Sequence, residues 1–196
     1  MRVCTNNLKP AERSKTCSGL LLLILCGFSM ALSARGITVD SLDSEKVDNQ
    51  YLLSARVTYT FSEEVLKALE HGVALYFNVQ VKTSMKRPLL WDKIIKNEIL
   101  KYRLEYHPLS QRYLLTDYKT FDHYDFRTLE AALNSMGSIR NFPVTDTGSL
   151  SEDGRYQTSI RVSLDGKSLP APLRPLSYIS PDWRLSSNWV ATELRP

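Results

Sequence analysis

The stretch Asp122-His123-Tyr124-Asp125 comes nearest in this sequence to a catalytic or metal-binding pattern. A histidine flanked by carboxylates can ligate a metal ion or act as a general base. The same residue types are typical of a helix N-terminus, where side-chain oxygens cap backbone N–H groups and negative charge meets the helix dipole. We favour the cap and keep a metal-dependent hydrolase, built on Asp122, His123 and Asp125, as the alternative.

Other patterns of catalysis and cofactor binding are absent from the sequence. The three histidines (His71, His107 and His123) have no metal-ligand spacing, and the serines form neither a Gly-x-Ser-x-Gly elbow nor a Ser-x-x-Lys pair. Glycine-rich phosphate-binding loops are missing as well. We therefore predict no catalytic residue, no metal site and no cofactor, and expect a protein that is not an enzyme.

One segment, from Lys82 to Lys101, is locally basic. Its cations are Lys82, Lys86, Arg87, Lys93, Lys96 and Lys101. Such a run is usually a solvated face, and the charge of the chain is otherwise nearly balanced, so we expect no nucleic-acid partner. If the segment binds anything, anionic lipid headgroups or an acidic partner suit it better.

Aromatic residues offer the other candidate binding surface, because Trp, Tyr and Arg dominate interface hot spots. The partner-binding candidates are Arg87, Trp91, Trp183 and Trp189. Their partner would be a protein or another envelope component. The alternative is that the tryptophans are core residues, which we favour for Trp183 and Trp189 and leave open for Trp91.

The first half of the chain predicts strands by alternation of apolar and polar residues. Residues 51–61 and 73–82 alternate with period two, and residues 62–71 between them carry apolar residues at helical spacing. Ser62 supplies an N-cap for that helix and Gly72 a C-terminal stop. The unit is predicted to be strand, short helix, strand.

A similar order follows in the second half. Residues 100–106 and 112–118 predict a hairpin, residues 125–136 a second helix, and residues 138–145 a short strand. The repeated strand-helix-strand order suggests an internal duplication. Residues 156–164 alternate again, and Asp165-Gly166 is expected to close that strand with a hairpin turn.

Four prolines mark the C-terminal part, at positions 170, 172, 175 and 181. Because each fixes φ and lacks an N–H, we expect residues 168–181 to cross the surface in an extended, polyproline-like form. Alternation over residues 183–189 predicts a last strand. The fold class is therefore mainly β, sandwich-like and antiparallel, with two short helices.

Residues 1–34 have the layout of an export signal: four Lys and Arg, then an apolar run over residues 19–32, then small residues. The alternative is an uncleaved anchor that tethers the chain to the inner membrane through residues 19–34. We expect a linker over residues 35–48 and a single β-rich domain over residues 49–196. All three cysteines (Cys4, Cys17 and Cys26) belong to the leader, so the exported domain has no thiol.

Several motifs together resemble a known family. They are the block from Phe61-Ser62 to Gly72-Val73-Ala74-Leu75-Tyr76-Phe77, the pair Trp91-Asp92, the segment Leu104-x-Tyr106-His107-Pro108-Leu109-Ser110 to Tyr113, and Leu169-Pro170-Ala171-Pro172-Leu173-Arg174-Pro175 leading to Asp182-Trp183-x-Leu185-x-Ser187-x-Trp189. Through them residues 40–194 resemble an uncharacterised proteobacterial family, domain of unknown function 4390, often labelled proline-rich signal peptide protein. Residues 85–90 depart from the family, whose members usually carry an Arg-rich stretch before a Trp pair.

The resemblance implies a Gram-negative envelope protein and supplies no catalytic residues. Members are often encoded beside a nitrogen-type sensor kinase, which implies a regulatory or accessory role. We therefore expect a periplasmic, non-enzymatic binding or accessory domain linked to sensor-kinase signalling. The alternatives are an unrecognised periplasmic enzyme and a purely structural membrane-tethered protein.

Overall fold

The domain is built from nine antiparallel strands and three short α-helices in the part of the chain that the structure, a computed structural model, describes: residues 36–151 and 154–194. The strands are β1 (Gly36–Val47), β2 (Gln50–Thr60), β3 (Leu75–Met85), β4 (Lys93–His107), β5 (Arg112–Asp117), β6 (His123–Phe126), β7 (Ser138–Asp146), β8 (Tyr156–Leu164) and β9 (Val190–Glu193). The helices are α1 (Glu63–Glu70), α2 (Leu129–Gly137) and α3 (Leu176–Ile179).

The strands form two sheets, in the sandwich-like, mainly β class that the alternation predicts. The smaller sheet has the order β1-β2-β7 and the larger one β6-β5-β4-β3-β8-β9. One core joins the inward-facing residues of both sheets, such as Leu53 and Val57 of β2 with Phe77 and Val79 of β3. Because side chains alternate along a strand, the residues of β3 and β8 that do not face the core form the outer face of the larger sheet.

The two longer helices connect one sheet to the other. Helix α1 leads from β2 into the larger sheet, and its predicted cap is confirmed, since Ser62 accepts from the N–H of Val65 at 3.3 Å. Gly72 follows with φ +83°, a left-handed conformation that favours glycine. Helix α2 leads back from β6 to β7. The duplication of this strand-helix-strand unit stays a prediction.

The predicted start of the second helix at residue 125 is wrong. Residues 123–126 form strand β6, which pairs with β5, and the helix begins four residues later, where Thr128 accepts from the N–H of Ala131 at 3.2 Å. The acidic residues around His123 therefore do not cap a helix. Pairing with β5 gives the backbone of residues 123–126 its hydrogen-bond partners, and the helical spacing of the apolar residues does not reveal this pairing.

The predicted linker over residues 35–48 is also wrong, because residues 36–47 form β1 and pair with β2 along its length. The strand lies at an edge of its sheet and most of its side chains are exposed. A ladder of backbone hydrogen bonds holds it there, so its sequence needs little of the apolar alternation by which strands are recognised.

The C-terminal crossing over residues 168–181 lies on the surface as expected, but it is not extended. It contains α3 and is flanked by 3₁₀ turns at Gly166–Ser168 and Pro181–Trp183. The prolines are compatible with these turns because a first helical residue needs no N–H, as Pro181 illustrates. Asp165-Gly166 consequently opens the crossing and does not close a hairpin.

The last strand also differs from its prediction. Only Ser186 makes a bridge, to Ser163, within residues 183–189, and the regular strand β9 starts at Val190. The predicted export signal, the tether over residues 19–34 and the three cysteines lie outside the described residues. No helix among the described residues is both long and apolar enough to span a bilayer.

Candidate functional site

The structure places the four partner-binding candidates in three different surroundings. Arg87 and Trp91 lie together on the connection between β3 and β4. Trp183 is 3% exposed and belongs to the core, as predicted. Trp189 is 42% exposed, which corrects its assignment to the core.

The β3–β4 connection with the first two residues of β4, residues 86–94, is here called the tip. Four large apolar side chains stand out from it into solvent, with exposed fractions of 96% for Leu89, 86% for Trp91, 59% for Leu90 and 56% for Ile94. Single exposed apolar residues are ordinary on protein surfaces, but clusters of them mark interaction sites. The tip is thus an exposed apolar surface that nothing in the described domain covers.

The local sequence explains why the tip projects. Strands β3 and β4 pair in register up to Met85 and Lys93, with Ile95 as the extra residue of a bulge. Pro88 lacks an N–H and cannot extend the ladder, so residues 86–92 leave the sheet. The apolar residues of the tip follow this proline and point away from both sheets' core.

A basic cleft of about 400 Å³ lies directly beside these apolar side chains. It is lined by Lys86, Arg87, Pro88, Asp92 and Arg155. Its one acidic side chain among the described lining residues, Asp92, accepts a hydrogen bond from Gln157 at 2.9 Å. The cleft therefore carries a net positive charge and can receive an anion.

The cations of this cleft are held to different degrees. Lys86 Nζ lies 3.1 Å from a carboxylate oxygen of Glu193, and its backbone N–H donates to the carbonyl of Arg155 at 2.8 Å. Arg87 has no ion-pair partner within residues 36–151 and 154–194. Its guanidinium is therefore available for bidentate hydrogen bonds to a phosphate or carboxylate.

Trp189 lies apart from the tip, on the outer face of the larger sheet. The ammonium of Lys82 is 5.5 Å from the centroid of its ring, within the range of a cation–π contact. This contact occupies one face of the indole. Trp189 is thus a half-exposed residue with a partner in the domain, and its role in binding stays a prediction.

The alternative hydrolase site does not assemble as the sequence suggested. On β6 the His123 ring contacts the Thr116 hydroxyl at 3.0 Å, while Asp125 forms an ion pair with Arg112 at 2.8 Å. Asp122 accepts from the Tyr124 hydroxyl at 3.2 Å. Within the described ranges, no three His, Cys, Asp or Glu side chains are grouped as metal ligands. His123 and Asp125 therefore tie β6 to β5, whereas the hydrogen bond of Asp122 is local.

Comparison with known protein families identifies the family of the chain. The family described as Domain of unknown function (DUF4390) matches residues 34–193. The chain belongs to this family. No curated protein and no solved structure matches it. The match of this DUF4390 domain begins just before β1, so the segment predicted to be a linker is part of the family's domain.

Sequence reasoning found two members of the tip, Arg87 and Trp91, and missed the apolar side chains around them. Leu89, Leu90 and Ile94 lie in a stretch whose periodicity is ambiguous. The available signal was the run Leu89-Leu90-Trp91 directly after Pro88, between two predicted strands, where a turn is normally polar.

Proposed function

We propose that this DUF4390 domain is an exported, non-enzymatic envelope domain that docks through its tip onto the anionic surface of a lipid bilayer. The observation that carries the proposal is the juxtaposition of the four exposed apolar side chains with the basic cleft. A bilayer presents the matching pair of environments, apolar chains beneath a layer of phosphate headgroups.

The shape of the tip favours a bilayer over a folded protein partner. Leu89 and Trp91 are almost completely exposed, so their side chains project outward into solvent. A fluid bilayer accepts such projections. Tryptophan is also enriched at the membrane–water interface, where its apolar ring and polar N–H meet matching surroundings.

The expected free energy of binding to a bilayer is sufficient for reversible docking. Each large apolar side chain that leaves water contributes about 1.5 to 3 kcal/mol. Each basic side chain near an anionic surface contributes about 1 kcal/mol, screened by salt. The sum of several such contributions, reduced by the free-energy cost of association, gives binding that depends on both the apolar and the basic side chains of the tip.

An export signal over residues 1–34 is part of this proposal and would bring the tip to the outward-facing surface of the envelope membrane. The family resemblance supports it. Docking on the bilayer would bring the domain beside membrane-embedded proteins, and this is compatible with an accessory role in sensor-kinase signalling.

Vesicle co-sedimentation with the full chain tests the proposal. We expect binding to vesicles that contain phosphatidylglycerol, weaker binding to pure phosphatidylcholine, and loss of binding at high salt. Leu89→Ser should weaken binding by about tenfold or more, since about 1.4 kcal/mol corresponds to a factor of ten. Arg87→Gln should weaken binding only to the anionic vesicles.

Leu109→Ser is the matched control, because Leu109 is equally exposed but lies on the β4–β5 connection. Its binding should equal that of the unchanged chain. A blue shift of tryptophan emission on binding that disappears in Trp91→Phe would place the ring in the interface. Equal binding by the Leu89→Ser and Leu109→Ser variants would contradict the proposal.

A further inference from the structure

A second cleft, of about 540 Å³, lies at the end of the larger sheet away from the tip. The tip follows Met85, whereas Asn78 lines this cleft seven residues earlier on β3. At about 3.3 Å per residue the two surfaces are about 23 Å apart along the strand. The second cleft is therefore a separate surface, and its argument does not depend on the tip.

The floor of the cleft is a row of small polar side chains on the outer face of the sheet. Asn78 of β3 pairs with Ser163 of β8, and Ser163 makes a bridge to Ser186. Residues directly opposite each other in neighbouring strands point to the same face. The row thus presents one amide and two hydroxyls side by side.

The wall of the cleft is formed by Ser177 and Tyr178 of the proline-containing crossing, together with Lys167 and Arg184, which lie just before and just after it. The crossing is held in place from within, since Arg184 donates to the carbonyl of Tyr178 and the Ser177 hydroxyl donates to the carbonyl of Arg174 at 2.7 Å. The cleft therefore has a wall whose position is set by hydrogen bonds.

The turn that opens the crossing packs tightly against this wall. A Cβ added to Gly166 would lie 2.2 Å from the Ser177 Oγ and 2.5 Å from its Cβ. Only glycine therefore allows the turn to approach the wall this closely.

Three cations line the cleft: Arg161, Lys167 and Arg184. Arg161 and Lys167 have no ion-pair partner in the part of the chain that the structure describes. Arg184 uses one N–H for Tyr178, and its guanidinium retains other donors. The cleft consequently holds more donors than its own residues satisfy.

Asp165 is the one acidic residue among the described lining residues, and its carboxylate is already engaged. It lies 3.4 Å from Lys101 Nζ and accepts from the Ser168 hydroxyl at 2.7 Å and from the Lys167 N–H at 3.2 Å. Partial burial opposes ionisation, but these bonds from Ser168 and Lys101 hold the pKa of Asp165 below its usual range. Asp165 is therefore ionised and its charge is offset by Lys101, so the three lining cations leave the cleft with a net positive charge.

We propose that this cleft binds a small hydrophilic oxyanion, a phosphate or carboxylate carried by a hydroxylated molecule of about sugar size. Guanidinium and ammonium groups recognise the oxyanion, and the row of Asn78, Ser163 and Ser186 exchanges hydrogen bonds with hydroxyls. The volume lies in the range of small-molecule sites. Tyr178, 61% exposed, offers a ring face against which a sugar ring can pack.

Isothermal titration calorimetry with the full chain at physiological salt tests this assignment. The probes are glucose 6-phosphate, glucuronate, inorganic phosphate and glucose. We expect at least one of the two charged sugars to bind at least tenfold more tightly than glucose. Binding of the phosphate probes alone identifies the phosphate as the recognised group, and binding of glucuronate alone identifies the carboxylate. Absence of heat with both charged sugars, or equal affinity for glucose, overturns the proposal.

Variants locate the binding. Arg161→Gln and Lys167→Gln replace exposed side chains and should each reduce the affinity for the charged sugar at least tenfold. Arg56→Gln, an exposed arginine of β2, is the control for net charge, and Leu89→Ser is the control for the tip. Both controls should bind as the unchanged chain does. An equal loss in Arg56→Gln would show a general charge effect and overturn the site.

Discussion

Trp183 and Trp189 have opposite surroundings although the sequence presents them as equivalent. They are six residues apart and share the parity of an alternating segment. The chain between them is not a regular strand, because Trp183 ends a 3₁₀ turn and only Ser186 bridges to β8. Parity therefore carries no information on which side of the sheet each indole lies.

Replacement of the two tryptophans should have unequal effects on stability. Trp183→Ala should lower the free energy of unfolding by about 3 to 5 kcal/mol, because it leaves a cavity in the core. Trp189→Ala should cost about 1 kcal/mol or less, since it removes a half-exposed ring and one cation–π contact. Urea unfolding followed by circular dichroism measures both. Similar losses in the two variants would contradict the burial described here.

At the scale of elements, the helices that cross between sheets depend on close packing against strands. Helix α2 ends at Gly137, where an added Cβ would lie 2.1 Å from the carbonyl oxygen of Val57 in β2. Backbone cannot give way as the far end of a side chain can. The glycine thus allows α2 to approach β2 and return the chain to the smaller sheet.

Alanine at this position should disturb that approach. Gly137→Ala is expected to lower the free energy of unfolding by about 1 to 3 kcal/mol, through the backbone shift that the extra methyl group forces. Gly148→Ala is the control, because an added Cβ there meets nothing within 4 Å. Its stability should stay within about 0.5 kcal/mol of the unchanged chain. Chemical unfolding of the two variants and the unchanged chain measures the free energy of unfolding of each. Equal stability of both variants would argue against the close contact at Gly137.

At the scale of the whole molecule, Asp165 ties the end of β8 to β4 through Lys101 and to its own turn through Ser168. The folded state lowers the pKa of this carboxyl from its ordinary value of 3.8. Its stabilising contribution is therefore present above the unfolded value and is lost as the pH falls through the folded one.

The dependence of stability on pH should reveal the contribution of Asp165. Near neutral pH, Asp165→Asn should melt at a lower temperature than the unchanged chain, and the difference should shrink as the pH falls below the unfolded value of 3.8. Thermal melting at several pH values measures the difference. Asp43→Asn, at an exposed position of β1, controls for the loss of one carboxylate. A difference between Asp165→Asn and the unchanged chain that stays constant with pH would contradict the contribution assigned to Asp165.

The fold class and most elements with a strong local signal could be predicted from the order of residues alone. Alternation indicated β2, β3 and β8, the spacing of Leu100 to Tyr118 indicated the β4–β5 hairpin, and Ser62 with Gly72 bounded the first helix. These features could be predicted because each depends on residues close in sequence, whose apolar face or cap is visible without a partner.

The remaining features become visible only in the folded domain, because they depend on partners that are distant in sequence. Strand β1 is held by a ladder to β2 and not by its own pattern, and β6 by pairing with β5. Two residues of the tip, Arg87 and Trp91, could be selected from the sequence because their residue types are common in interfaces. Their exposure is a property of the fold. The second cleft was invisible, because Asn78, Arg161 and Arg184 meet only when the crossing folds back onto β8.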